Sequence, residues 1–198
     1  MQAPFELTEG LARLQEIIAS FPAESPYWNE AENRFKFVDR LLTECLTWEK
    51  PEIETEVLDG FGGKADYILG RPPKAVLEAK KEAKHFDLPP QGKPSLVRKL
   101  KPLLQTSKNF DEAVRQVLLY CTMHGAPIAI ICNGPQLAIF QAMGTGFSPL
   151  EGECFFFDGF KTYLDNFTLL WSFLSPEGII ENRAYRLSRL AQKSSHPS

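Results

Sequence analysis

Apolar residues recur along the first fifty positions at the spacing of a helix. Leu11, Leu14, Ile17, Ile18 and Phe21 predict an amphipathic helix over residues 8–21 that stops before Pro22. A proline-containing link follows, from Phe21 to Pro26. Asn29 then stands as an N-cap with Glu32 three residues on as its capping-box partner. Phe35, Val38, Leu41, Leu42, Cys45 and Leu46 form the apolar stripe of this second helix, which ends near Thr47. After Pro51 the period drops to two. Ile53, Thr55 and Val57 alternate with Glu52, Glu54 and Glu56 as in a half-exposed strand, and Asp59 to Gly63 is a turn. Ala65 to Leu69 and Ala75 to Ala79 flank Gly70-Arg71-Pro72-Pro73-Lys74 and read as a hairpin, completing a three-stranded meander.

Residues 82–108 hold four prolines and no clear period, and a loop of that length inside a compact domain is usually functional or mobile. Asn109 and Glu112 repeat the capping-box spacing and open a helix with Val114, Val117, Leu118 and Cys121 on its buried face. Pro127 to Cys132 is an apolar strand, Asn133-Gly134 a turn, Leu137 to Gln141 the returning strand and Glu153 to Phe157 one more. Tyr163 to Leu174 and Glu177 to Gln192 read as two helices. The prediction is an α/β domain with a central mixed sheet flanked by helices. It divides into an N-terminal helix and linker (1–28), a core (29–145), a C-terminal strand and helices packed on it (146–192) and a polar tail (193–198).

Composition narrows the class. With 198 residues, 43% of them hydrophobic and 24% charged, the chain has enough apolar surface for one ordinary folded domain. A net charge of −3 argues against coating nucleic acid or anionic membrane by bulk charge. Cys45, Cys121, Cys132 and Cys154 lie beside apolar residues without a C-x-x-C pair, as small core residues do in a reducing compartment. The chain carries no basic leader followed by an apolar stretch and no apolar run of the roughly 18 residues that a membrane span needs. The expectation is a cytoplasmic protein without membrane contact. The Phe155-Phe156-Phe157 run, with Trp171, Phe173 and Leu174, is expected in the core. His85, His124 and His196 have no partner at metal-site spacing and are expected to be non-catalytic.

The hairpin carries the candidate chemistry. A five-residue turn over residues 70–74 sets Leu69 opposite Ala75 and Asp66 opposite Glu78. Directly opposed residues have Cβ atoms roughly 4.5–5.5 Å apart, where like charges repel unless a cation or a shared proton intervenes. Lys80 follows two residues after Glu78 and so falls on the same face. Two hard oxygen ligands beside an ammonium suit Mg2+ and the hydrolysis of a phosphodiester. The bland alternative is that Glu78 and Lys80 are exposed strand charges and Asp66 a turn residue, because E-x-K tripeptides are common.

An ordered series of segments accompanies this hairpin: Asn29-Glu30-Ala31-Glu32-Asn33-Arg34, Gly63-Lys64-Ala65-Asp66-Tyr67-Ile68-Leu69, Ala75-Val76-Leu77-Glu78-Ala79-Lys80-Lys81, Gln116-Val117-Leu118-Leu119-Tyr120 and Cys132-Asn133-Gly134. In order and spacing, over residues 29–141, the series resembles the PD-(D/E)XK nuclease superfamily, in particular the amino-terminal nuclease domain of type I restriction enzyme restriction subunits. The resemblance implies a restriction-endonuclease-like core and Mg2+-dependent endonucleolytic cleavage of DNA, with Mn2+ able to substitute. It also implies a role in defence against foreign DNA. Asp66 and Glu78 would be metal ligands, with the main-chain carbonyl of Ala79 as a third, and Lys80 the catalytic lysine. Glu30 would be the helix-borne acid near the metal, with Glu32 its competitor, and Gln116 and Tyr120 would contact phosphate or bases. The length of segment 82–108 departs from the family pattern.

Charge is uneven along the chain. Arg71 to Lys108 holds ten Lys or Arg against three acids, a balance of +7, and the remainder sums to −10. This basic segment is expected to abut the acid pair and steer phosphate, with Lys81, Lys93, Arg98, Lys99 and Lys101 contacting the DNA backbone or forming a lid ordered by DNA. The chain contains no G-x-x-x-x-G-K-[ST] motif. Regulation is therefore expected from a separate NTPase or helicase-like motor or other partner, from a homo-oligomer, or from sequence beyond this chain. A nuclease-derived module that binds without cutting, and the same chemistry on RNA, remain the alternatives.

Overall fold

A computed structural model describes residues 5–21, 29–58, 63–91, 95–144, 146 and 148–180. The predicted link 22–26, most of the turn 59–63, Lys93, His196, the last helix beyond Ile180 and the polar tail lie outside the described residues. The elements are α1 (Phe5–Ala19), α2 (Glu30–Asn33), β1 (Ile53–Leu58), β2 (Lys64–Leu69), β3 (Ala75–Ala79), β4 (Val97–Lys99), α3 (Leu100–Thr106), α4 (Lys108–His124), β5 (Ile128–Cys132), β6 (Gln136–Gln141), β7 (Glu153–Asp158), α5 (Phe160–Asp165), α6 (Phe167–Leu174) and α7 (Pro176–Ile180).

The seven strands form one mixed sheet in the order β1-β2-β3-β5-β6-β7-β4. β1, β2 and β3 are the antiparallel meander that the sequence predicts, and the hairpin register is the expected one, with Leu69 opposite Ala75 and Tyr67 opposite Leu77. β3 and β5 pair in parallel, so the chain must cross over between them, which α3 and α4 do. Alternate strand residues enter opposite core layers. Leu77, Ile130, Ile139, Phe155 and Phe157 pack with α1, with residues 37–46 that follow α2 and with the C-terminal helices, while Val76, Ile131, Phe140 and Phe156 pack with α3 and α4. Burial on both faces is why the central strands are apolar throughout. All four cysteines are buried free thiols, and no described helix is long and apolar enough to cross a membrane.

Four details differ from the sequence reading. Phe35 is 74% exposed and Phe37 is fully buried in its place. The helix begun by α2 continues through π-helical turns at Arg34–Val38 and Leu41–Cys45, which widen the repeat. Positions 33, 37, 41 and 45 thereby share the buried side, a spacing of four that the 3.6-residue period misses. Segment 82–108 is not a plain loop, because it holds β4 and α3, the latter burying Leu100 and Leu103. Ser107, not Asn109, caps α4: its hydroxyl accepts the Phe110 N–H, and Asn109 Nδ2 donates to the His85 carbonyl at 3.0 Å. The helix expected over Tyr163 to Leu174 is two helices, α5 and α6, interrupted at Asn166.

Candidate active site

The C-terminal end of β3 places Glu78 and Lys80, and the start of β2 places Asp66 beside them. All three are buried, at 3% exposure for Asp66, 2% for Glu78 and 8% for Lys80. They are not exposed strand charges. The β2–β3 ladder ends at Tyr67 and Leu77, and the Ala79 N–H beyond it donates to Asp66 Oδ2 at 2.8 Å. Arg34 Nη1 reaches Asp66 Oδ1 at 3.4 Å. Lys80 Nζ lies 2.5 Å from Glu78 Oε1 and 2.9 Å from Gln116 Oε1. Glu78 Oε2 is buried without a hydrogen-bond partner.

Two buried acids facing one lysine make an electrostatically costly centre. Burial, and then the charge of Asp66, push Glu78 up to about 7 against the opposing pull of Lys80. Burial raises Asp66 as well, opposed by the Ala79 N–H and by Arg34. The negative charge of Glu30 pushes both carboxyls in the same upward direction. Among the described residues, however, no group of three or more His, Cys, Asp or Glu is placed to hold a metal, so Glu30 influences the acid pair without joining it. Glu32 has the structural task expected of it. Its carboxylate accepts from Asn29 N–H at 3.1 Å, its own N–H donates to Asn29 Oδ1 at 2.9 Å, and it pairs with Lys36 at 3.0 Å.

No family model, curated protein or solved structure matches the chain. Asp66 and Glu78 offer carboxylate oxygens, one of them orphaned, and this donor set suits a hard divalent cation that retains water in its shell. A cation held by these residues would also offset the burial and the Asp66 repulsion that raise Glu78.

Of the residues expected to meet nucleic acid, Gln116 turns inward and holds Lys80. Tyr120, one turn later on α4, is 4% exposed in the core, so its ring is not available for base stacking. Lys81 is exposed next to the site. Arg98, Lys99 and Lys101 do not abut the acid pair. β4 lies four strand positions from β3, about 19 Å at roughly 4.8 Å per step. Lys99 stands opposite Glu153 at the other end of the strands, Lys101 pairs with Glu151 at 2.9 Å, and Arg98 Nη1 donates to the Pro89 carbonyl at 3.1 Å. Cations contiguous in sequence are dispersed because β4 leaves the neighbourhood of β3 to pair with β7.

Asn33 is the site residue that pattern reading passed over. It is fully buried, and Nδ2 donates to the Lys80 carbonyl at 2.8 Å, tying α2 to the end of β3. Its Oδ1 stands 2.8 Å from where a Cβ on Gly134 would sit, so the turn after β5 needs glycine for space as well as for its φ of 95°. The signal in the sequence was a polar residue four positions ahead of buried Phe37. A second support is Gln136, which bonds Phe86 N–H and carbonyl at 2.8 and 3.0 Å, while Asn133 Nδ2 holds the Lys84 carbonyl at 2.9 Å. Together they pin the segment that leaves Lys80.

Proposed function

We propose that this protein is a Mg2+-dependent endonuclease with a restriction-endonuclease-like core that hydrolyses DNA phosphodiester bonds, in keeping with a restriction-type defence role. The observation that carries this reading is the buried Asp66, Glu78 and Lys80 grouping, with its unpartnered Glu78 Oε2. Burying an orphaned carboxylate oxygen beside a second acid costs stability, and a cation bound there would offset that cost. The order of the motif segments supports the same reading.

Asp66, Glu78 and the main-chain carbonyl of Ala79 would hold the metal. Bound Mg2+ supplies Lewis acidity, lowering the pKa of a coordinated water and offsetting the charge that develops on the phosphoryl oxygens. An ammonium has three donors, and Lys80 uses two on Glu78 and Gln116. The third is left to orient the attacking water or stabilise the phosphoryl oxygens. The water oxygen forms a new bond to phosphorus, one ester P–O bond breaks, and the leaving oxygen takes up a proton. Gln116 and Asn33 act through Lys80, the first on its ammonium and the second on its main chain.

Calorimetric titration with Mn2+ separates this reading from a module that binds without cutting. The parent is expected to bind the ion and Asp66→Ala to lose most of that affinity, whereas a non-cleaving module shows no such site. Parallel digestion of duplex DNA, single-stranded DNA and RNA then identifies the polymer, with duplex DNA expected to be cut. Cleavage confined to RNA would redirect the assignment.

A further inference from the structure

The start of β2 carries a second constellation, on the solvent side of Asp66. In the β1–β2 ladder Thr55 faces Tyr67 and Val57 faces Ala65, which sets Glu56 opposite Asp66, yet no pairing forms between those two. Glu56 has a φ of +54°, a left-handed conformation in the middle of a strand and one that a non-glycine residue keeps only where its surroundings impose it. The ladder resumes on both sides of it, and two cations hold its carboxylate. Its Oε1 accepts from Arg34 Nη1 at 3.0 Å and from Lys64 Nζ at 2.8 Å, and the same Arg34 nitrogen touches Asp66. Lys64 and then Arg34 lower the pKa of the Glu56 carboxylate and favour its ionised form. Its side chain is 53% exposed and Lys64 48%, while Arg34 is 16% exposed and fixed through Nε to the Tyr67 hydroxyl at 3.3 Å.

A polyanion reaching the Asp66 and Glu78 pair meets like charge and needs cations at the rim. The basic segment around β4 lies too far away to provide them. Arg34 and Lys64 stand beside Asp66, and an arginine fork with an adjacent ammonium is a common way to hold a phosphate. We propose that Arg34 and Lys64 form a binding subsite for a backbone phosphate next to the scissile one, and that the Glu56 carboxylate occupies that subsite until substrate displaces it. The inference rests on the nuclease reading for the identity of the ligand. Arg34 thereby has two roles, steadying Asp66 and receiving substrate.

Binding of a short fluorescent duplex DNA, followed by anisotropy in a metal chelator over a salt series, tests this without any cleavage. Arg34→Met and Lys64→Met are expected to weaken binding about tenfold each, the scale of one charge-assisted contact, and to reduce the log–log salt slope by about one. Glu56→Gln is expected to tighten binding several-fold. Glu56→Gly should do the same and melt at a higher temperature than Glu56→Gln, since glycine accepts the left-handed φ. A parent that does not bind, Arg34→Met and Lys64→Met variants that bind like the parent, or a Glu56→Gln variant that binds more weakly, would each overturn the proposal. A parent that cuts DNA in an Asp66-dependent way while the Arg34 and Lys64 variants bind normally would sink the subsite and leave the nuclease reading standing. Binding that responds as expected in a chain that never cuts would do the reverse.

Discussion

Glu78 makes a quantitative link between the site and the stability of the fold. Its carboxyl has an ordinary value of 4.5 and is pushed to about 7 by burial and by Asp66. Below pH 4.5 the folded and unfolded chains both carry the Glu78 proton, so Glu78 adds no pH dependence to stability there. Between 4.5 and 7 the folded chain keeps a proton that the unfolded chain releases, and stability falls as pH rises. Above 7 the loss is complete, at about 3 kcal/mol, taking about 1.4 kcal/mol for each tenfold change in proton affinity. Asp66 is raised too and adds a loss of the same sign. Glu78→Gln removes the Glu78 contribution and keeps an amide oxygen for Lys80, whose other acceptor, Gln116, is untouched. Because the value of about 7 already includes the pull of Lys80, the variant is expected to exceed the parent by about 3 kcal/mol at about pH 8. At about pH 4 it should be no more stable than the parent. Urea denaturation in a metal chelator across this range measures the difference directly, because the exposed titrating groups are common to both proteins. Parallel stability curves for the two proteins would refute the reasoning.

Other expectations follow from particular contacts. Phe37→Ala should cost about 3–5 kcal/mol in denaturant unfolding and Phe35→Ala within about 0.5, and the reverse order would contradict the π-helical phase of the second helix. Gln136→Leu removes partners from Phe86, Asn133 and Asp158 and should cost at least about 2 kcal/mol, read in the same way. Lys99→Ala and Lys101→Ala are expected to leave DNA affinity and its salt slope unchanged, as measured by anisotropy, since both residues lie away from the acid pair. Gln116→Leu should lower the rate of cleavage more than it raises the substrate concentration for half-maximal rate, since Gln116 holds Lys80.

The site was legible where the chemistry is local. A five-residue turn and period-two alternation were enough to register β2 against β3 and bring Asp66, Glu78 and Lys80 together, because strand pairing leaves little freedom once the turn is placed. Asn29 and Glu32 declared the start of α2 for the same reason, since a capping box is four consecutive residues. The misses were non-local or departed from ideal periods. A 3.6-residue repeat favours Phe35, whereas the π-helical turns of this helix bury Phe37. Arg98, Lys99 and Lys101 fall away from the acid pair because charge density along a chain does not reveal which sheet edge a three-residue strand joins, and β4 joins the one farthest from β1. Arg34, Lys64 and Glu56 read singly as ordinary surface charges. Their convergence depends on a strand register and a left-handed residue that no local pattern announces.

The most direct test of the central claim is the conversion of supercoiled plasmid DNA by the parent, Asp66→Ala and Lys80→Ala in Mg2+, with circular dichroism confirming that all three are folded. Nicking or linearisation by the parent, lost on chelation and in both variants, is the expected result. Cleavage by folded Asp66→Ala and Lys80→Ala at the parent's rate would contradict the assignment of this site.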